Sequence, residues 1–114
     1  MCAGAGFVLL CTEAIKEGDE KRLLIGKIQS TGKEIIDITL SQVSRFAGNI
    51  LQLKNRKNED LLILSEQAFQ SLNDHQLSQL RKYGRLIHAP LNTIETAGGG
   101  SARCMIAEIH LPHL

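Results

Sequence analysis

Cys104 has more chemistry within reach than any other residue of the chain. Three consecutive glycines, Gly98 to Gly100, lead into Ser101-Ala102-Arg103-Cys104, and an apolar run from Met105 to Leu111 follows. Glycines let the backbone take positive φ or let another group approach closely, and the following run has strand character, so the thiol is expected where a flexible loop meets a rigid strand. Arg103 beside it would favour the charged form of sulfur. A thiolate nucleophile also needs an acid/base partner. At ~3.3 Å per residue, Glu108 would lie about 13 Å and His110 about 20 Å along that strand, so neither can serve directly. His88 and His75 sit on other elements, and nothing in the sequence aims either at the sulfur. The ordinary alternative is that Cys104, like most free cysteines, is a small buried hydrophobe.

Other groupings are weaker. The glycine run lacks the Gly-Lys-Ser/Thr ending of a phosphate loop and is followed by a strand pattern, not a helix start. His110 and His113 have the spacing of some ligand pairs, but no cysteine pair accompanies them, so no metal and no cofactor are expected. Cys2, Cys11 and Cys104 are odd in number, widely spaced and not preceded by a secretory leader, which reads as reduced thiols in a cytoplasmic setting.

The 114 residues suit one domain, read as module-like halves 1–57 and 58–114. A formal charge of +1 and an aromatic content of 4% supply neither the field nor the stacking surfaces for nucleic acid. The apolar run Phe7 to Cys11 is far too short to cross a bilayer.

The pattern is α/β. Strands are expected over 6–12, 34–38, 50–54, 61–64 and 85–89. A helix over 19–31, with Leu23, Leu24 and Ile28 on one face, should end at Gly32. Thr39 with Gln42 and Asn73 with Gln76 have capping-box spacing and open two further helices, while Ser65 is a possible cap of another. The polar stretch 55–60 is the best candidate for a boundary. The halves share an order at an offset of about fifty residues. That offset sets Gly48-Asn49 opposite the glycine loop before Cys104.

Gly98-Gly99-Gly100-Ser101-Ala102-Arg103-Cys104-Met105, with Ala107-Glu108 and Leu111-Pro112, resembles the C-terminal signature of the amidinotransferase (pentein) superfamily. Phe46-Ala47-Gly48-Asn49-Ile50-Leu51, Leu64-Ser65-Glu66-Gln67-Ala68 and Ile94-Glu95 extend the likeness over nearly the whole chain, and the citrulline utilisation hydrolases are the branch it looks most like. The resemblance implies two ββαβ-type modules, the C-terminal part of a five-bladed α/β propeller. It also implies a Cys104 that attacks the central carbon of a guanidino or ureido compound such as citrulline or an arginine-like molecule. Asn49, Gly99, Gly100 and Arg103 would then face the substrate. Members of the superfamily are considerably longer and carry a histidine and substrate-binding carboxylates in earlier modules. The chain is therefore expected to be the last part of a thiol-dependent hydrolase, inactive alone and prone to self-association through uncovered module faces. The alternative is a non-catalytic remnant or protein-interaction module.

Overall fold

The computed structural model describes residues 1–112. In its first half, β1 (Cys2–Ala3) pairs antiparallel with β2 (Phe7–Leu10), α1 (Gly18–Ser30) crosses over, and β3 (Glu34–Asp37) returns parallel to β2. The second half repeats this. β4 (Leu51–Lys54) pairs antiparallel with β5 (Asp60–Ser65), α3 (Glu66–Ser71) and α4 (Asp74–Arg81) form the crossover, and β6 (Arg85–Ala89) lies parallel to β5. A short helix follows each repeat, α2 (Leu40–Ser44) and α5 (Asn92–Gly98). The repeat expected at an offset of about fifty residues is thus two three-stranded sheets of identical order. These are the two ββαβ-type modules, and the fold is α/β.

The polar stretch near residues 55–59 joins β4 to β5, with Lys54 opposite Asp60. A division at 57/58 therefore falls inside a hairpin, and the change of sheet comes earlier, between β3 and β4. Asn58 takes φ 62°, a conformation asparagine tolerates in such turns.

Alternation along β2 decides the layering. Val8 and Leu10 point to one face, where Ile28 and the half-buried Leu24 and Ile25 of α1 cover them. Phe7 and Leu9 point to the other, into a larger core with Ile36, Leu62, Leu64, Ala68, Leu77 and Leu80. The helices of the second module thus fill the space between the two sheets. Leu23, expected on the buried face of α1, is 74% exposed; the covered stripe is Leu24, Ile25 and Ile28, one residue further round.

Polar contacts fix how the modules meet. Both capping boxes form as the spacing predicts. The two glutamines that complete them are also buried against each other: Gln42 Nε2 donates to Gln76 Oε1 at 2.7 Å, and Gln76 Nε2 donates to Gln42 Oε1 at 3.0 Å and to the Asp37 carbonyl at 2.7 Å. Nearby, Glu34 of β3 accepts from Tyr83 Oη at 2.5 Å and from Gln79 Nε2 at 2.8 Å.

These bonds hold the Glu34 carboxyl below its ordinary value of 4.5, the Tyr83 hydroxyl being the first cause and Gln79 the second. The same bond raises the Tyr83 phenol, since its proton is engaged. A carboxylate lowered by folding contributes stability that is present above its unfolded value and is lost as pH falls through the folded one. The contact should therefore weaken below about pH 4.5. Glu34→Gln is expected to remove a share of the acid sensitivity on the order of 1 kcal/mol, discounted for partial exposure. Urea midpoints at pH 6 and pH 3 check this, and an unchanged difference between them would refute it.

The largest departure from the sequence reading is the C-terminal run. Residues 102–105 form a 3-10 turn, and 106–112 carry no regular structure and are exposed. Strand propensity is realised only beside a partner strand, and among the described residues none pairs with this segment. No helix among the described residues is long and apolar enough to cross a membrane.

Candidate functional site

The glycine run follows α5, a helix the sequence hid, and lies at its C-terminal end. Gly99 takes φ 68° and its N–H bonds the Glu95 carbonyl at 3.2 Å, the left-handed ending that glycine allows. Helix N–H groups that could hold an anion point the other way, so this is no phosphate cradle. Gly100 has a separate reason to be glycine. A Cβ there would lie 3.0 Å from Cys104 Cβ and 3.2 Å from Sγ. The chain folds back on itself tightly enough to need the missing side chain.

The cysteine turn is gripped from the first module. Asn49 Oδ1 accepts the Arg103 backbone N–H at 2.9 Å, and Asn49 Nδ2 donates to Cys104 Sγ at 3.1 Å. Asn49 is delivered by the turn that ends α2, in which Phe46 adopts φ 64° and its carbonyl accepts the Asn49 N–H at 2.9 Å. A bulky residue in the left-handed region costs on the order of 1 kcal/mol, and here the strained turn aims a side chain at the sulfur.

Three groups favour the thiolate of Cys104. The Asn49 amide contributes most, the Ser101 backbone N–H comes next, and Arg103 adds the least; together they outweigh desolvation and lower the thiol from its ordinary value. The adjacent cation read from the sequence is thus the weakest of the three. Cys2 is buried, and burial pushes its thiol up. Cys11 is also buried, which leaves Cys104 as the exposed thiol.

The other candidate groups lie apart from the sulfur. His88 stacks on Phe69 at 4.1 Å between ring centroids and bonds Glu66 Oε2 through Nδ1 at 3.2 Å. His110 Nε2 pairs with Glu108 Oε2 at 3.2 Å, and His75 lies exposed on α4. His113, considered with His110 as a ligand pair, lies outside the described residues, and among the described residues no three His, Cys, Asp or Glu side chains gather as a metal site. A cavity of about 560 Å³ is lined by residues of β4 and by Glu108 and His110, not by Cys104. Two residues quoted in the resemblance without a role, Glu95 and Ser101, are buried beneath the cysteine turn.

Paired ββαβ modules of one order, with a glycine turn presenting an exposed, activated thiol, define a member of the pentein superfamily. More narrowly, the chain belongs to the eukaryotic N,N dimethylarginine dimethylhydrolase family, whose model matches residues 1–111. That match supports the superfamily and gives no support to the citrulline utilisation branch. No curated protein and no solved structure gives a significant match.

Proposed function

We propose that the chain supplies the nucleophile of a guanidino-group hydrolase, with Cys104 attacking the central carbon of a methylated arginine or a related arginine-like or citrulline-like compound. The single observation that carries this reading is the Asn49 and Ser101 grip on an exposed thiol whose pKa is lowered. A C–S bond forms to the guanidinium carbon. The C–N bond to the substituted amine breaks with its electron pair on nitrogen, which takes up a proton. Water then adds to the carbon, the C–S bond breaks, and a ureido product and the thiolate are released. Splitting one displacement into two is what a thiolate offers.

In this reading Arg103 would meet a substrate carboxylate, and Gly99 and Gly100 would let substrate approach the backbone. The proton donor implied by the resemblance is a histidine. None of the described histidines hydrogen-bonds Sγ, and Cys104 stands open to solvent outside the main cavity. We therefore read the turnover machinery as shared with further modules, in a reducing compartment that keeps the thiols free, most simply the cytoplasm.

The test compares the chain alone with a chain extended by the reading frame upstream of Met1. Dimethylamine released from N,N-dimethylarginine, and ammonia released from arginine and citrulline, are the readouts. Release is expected only from the extended chain. No release from either would remove the hydrolase reading and leave the interaction module, and release from the short chain would overturn the shared site.

The outer face of the second sheet carries a shallow apolar groove of about 140 Å³ that includes Ile63, Ile87, Met105 and Ile106. Of these, Ile87, Met105 and Ile106 are 37%, 47% and 37% exposed. The equivalent face of the first sheet is covered by the second module. Self-association is the expected consequence. Sedimentation equilibrium checks it, and a monodisperse monomer at tens of micromolar would count against it.

A further inference from the structure

The buried carboxylate under the cysteine turn takes no part in the reaction drawn above. Glu95 of α5 is 5% exposed and Ser101 is fully buried. The Ser101 hydroxyl donates to Glu95 Oε1 at 2.5 Å, while Oε2 is buried without any partner among the described residues. A carboxylate with an idle oxygen is a poor way to fill a core, since its desolvation is only half repaid by hydrogen bonds. Its one partner indicates what it does. The Ser101 carbonyl accepts the Cys104 N–H at 3.0 Å, closing the turn that presents the sulfur. Fixing the Ser101 side chain therefore fixes the carbonyl that holds the Cys104 peptide.

We propose that Glu95 is a positioning residue for Cys104, acting through the Ser101 hydroxyl to hold the tight turn that presents the sulfur. It touches neither sulfur nor substrate. The inference rests on reading Cys104 as the nucleophile, but its test needs no turnover, so its failure is distinguishable from failure of the hydrolase reading. The other groups favouring the thiolate are the neutral Asn49 from the first module and the charged Arg103 on the same turn, and neither is altered by the test.

The double variant Glu95→Met with Ser101→Ala replaces both partners by apolar groups of similar shape, a change expected to be neutral or stabilising for the fold. Alkylation by iodoacetamide is followed residue by residue by mass spectrometry from pH 6 to pH 10. Cys2 and Cys11, both buried, report folding in the same samples. The expected result is a Cys104 profile displaced to higher pH and a rate at pH 7 roughly threefold lower, with Cys2 and Cys11 still protected. Glu95→Gln, which keeps an acceptor for the Ser101 hydroxyl, is expected to alkylate at the native rate. An unchanged profile in the double variant overturns the proposal. So does labelling of Cys2 and Cys11 alongside Cys104, which would mark a structural role, and so does a slow Glu95→Gln, which would make charge and not position the operative feature.

Discussion

Asn49→Ala is expected to slow alkylation of Cys104 by roughly tenfold at pH 7 while leaving Cys2 and Cys11 protected, because it removes the largest of the contributions that favour the thiolate. The sign follows from the direction of the shift. A thiol held below its ordinary value is ionised over a pH range where a free cysteine is not. Losing the donor returns the sulfur toward the free-cysteine profile, so the deficit is largest near neutrality and vanishes in alkali. Two roles of Asn49 are separable. Its Oδ1 holds the Arg103 N–H, and its Nδ2 donates to sulfur. Asn49→Asp keeps the acceptor and places a negative charge where the donor stood. If Asn49 only braced the turn, aspartate would outperform alanine; if its donor matters, aspartate is the slower of the two. Iodoacetamide kinetics on the three proteins decide this, and an aspartate variant as fast as the native chain would remove Asn49 from the thiol's chemistry.

How much of this was legible in the sequence varied with the distance over which each interaction acts. Short-range devices read correctly: Gly32 in the left-handed region after α1, Ser65 accepting the Ala68 N–H at 3.1 Å, and both capping boxes. The strands β2, β3, β5 and β6 were marked by their apolar runs. Failures came where local preference points one way and tertiary context another. α5 contains Thr93, Ile94 and Thr96 and ends in glycines, so its composition reads as loop or strand, yet it forms a helix of seven residues closed by Gly99. Residues 105–111 have strand propensity and no partner strand among the described residues. The distance argument that excluded Glu108 and His110 assumed that strand. Its conclusion still agrees with the structure, for a different reason: the two side chains pair with each other.

The site was legible in part. Cys104 was singled out as a candidate by the glycines and the resemblance, and Asn49 by its Gly-Asn pair, but the contact between them depends on an amide orientation that no spacing encodes. Glu95 and Ser101 lie six positions apart across a helix end and three glycines, a separation with neither helical nor strand periodicity. Only the fold-back at Gly100, with sulfur 3.2 Å from a would-be Cβ, brings the serine under the turn. A buried acid beside a hydroxyl ahead of a glycine-rich cysteine is the pattern that could have indicated it.

The modules have to stay in register for Asn49 to reach Cys104, and the device that sets that register is the glutamine pair. Gln76→Ala should destabilise the chain by roughly 2–4 kcal/mol, a large part of the ~5–15 kcal/mol expected of a domain this size. It removes the capping of the Asn73 N–H and leaves the Asp37 carbonyl without that donor, while Gln42 loses its glutamine partner and keeps the Thr39 N–H and the Ser71 carbonyl. Each orphaned group costs about 1–3 kcal/mol, and a lost cap about 0.5–2. Gln42→Ala should cost a similar amount, because it removes the capping of the Thr39 N–H and leaves the Ser71 carbonyl without its donor. The double variant should fall short of the sum by about 0.5–1.5 kcal/mol, since the bonds between the two glutamines are already lost in each single change. Urea unfolding followed by circular dichroism measures all three. Additive costs, or a Gln76→Ala variant within about 1 kcal/mol of the native chain, would mean that the apolar cluster alone sets the register. The prediction has a functional reading as well: a Gln76 variant still folded in mild conditions should alkylate at Cys104 as slowly as Asn49→Ala. Loosening the interface withdraws the asparagine from the sulfur even though every residue around the cysteine is native.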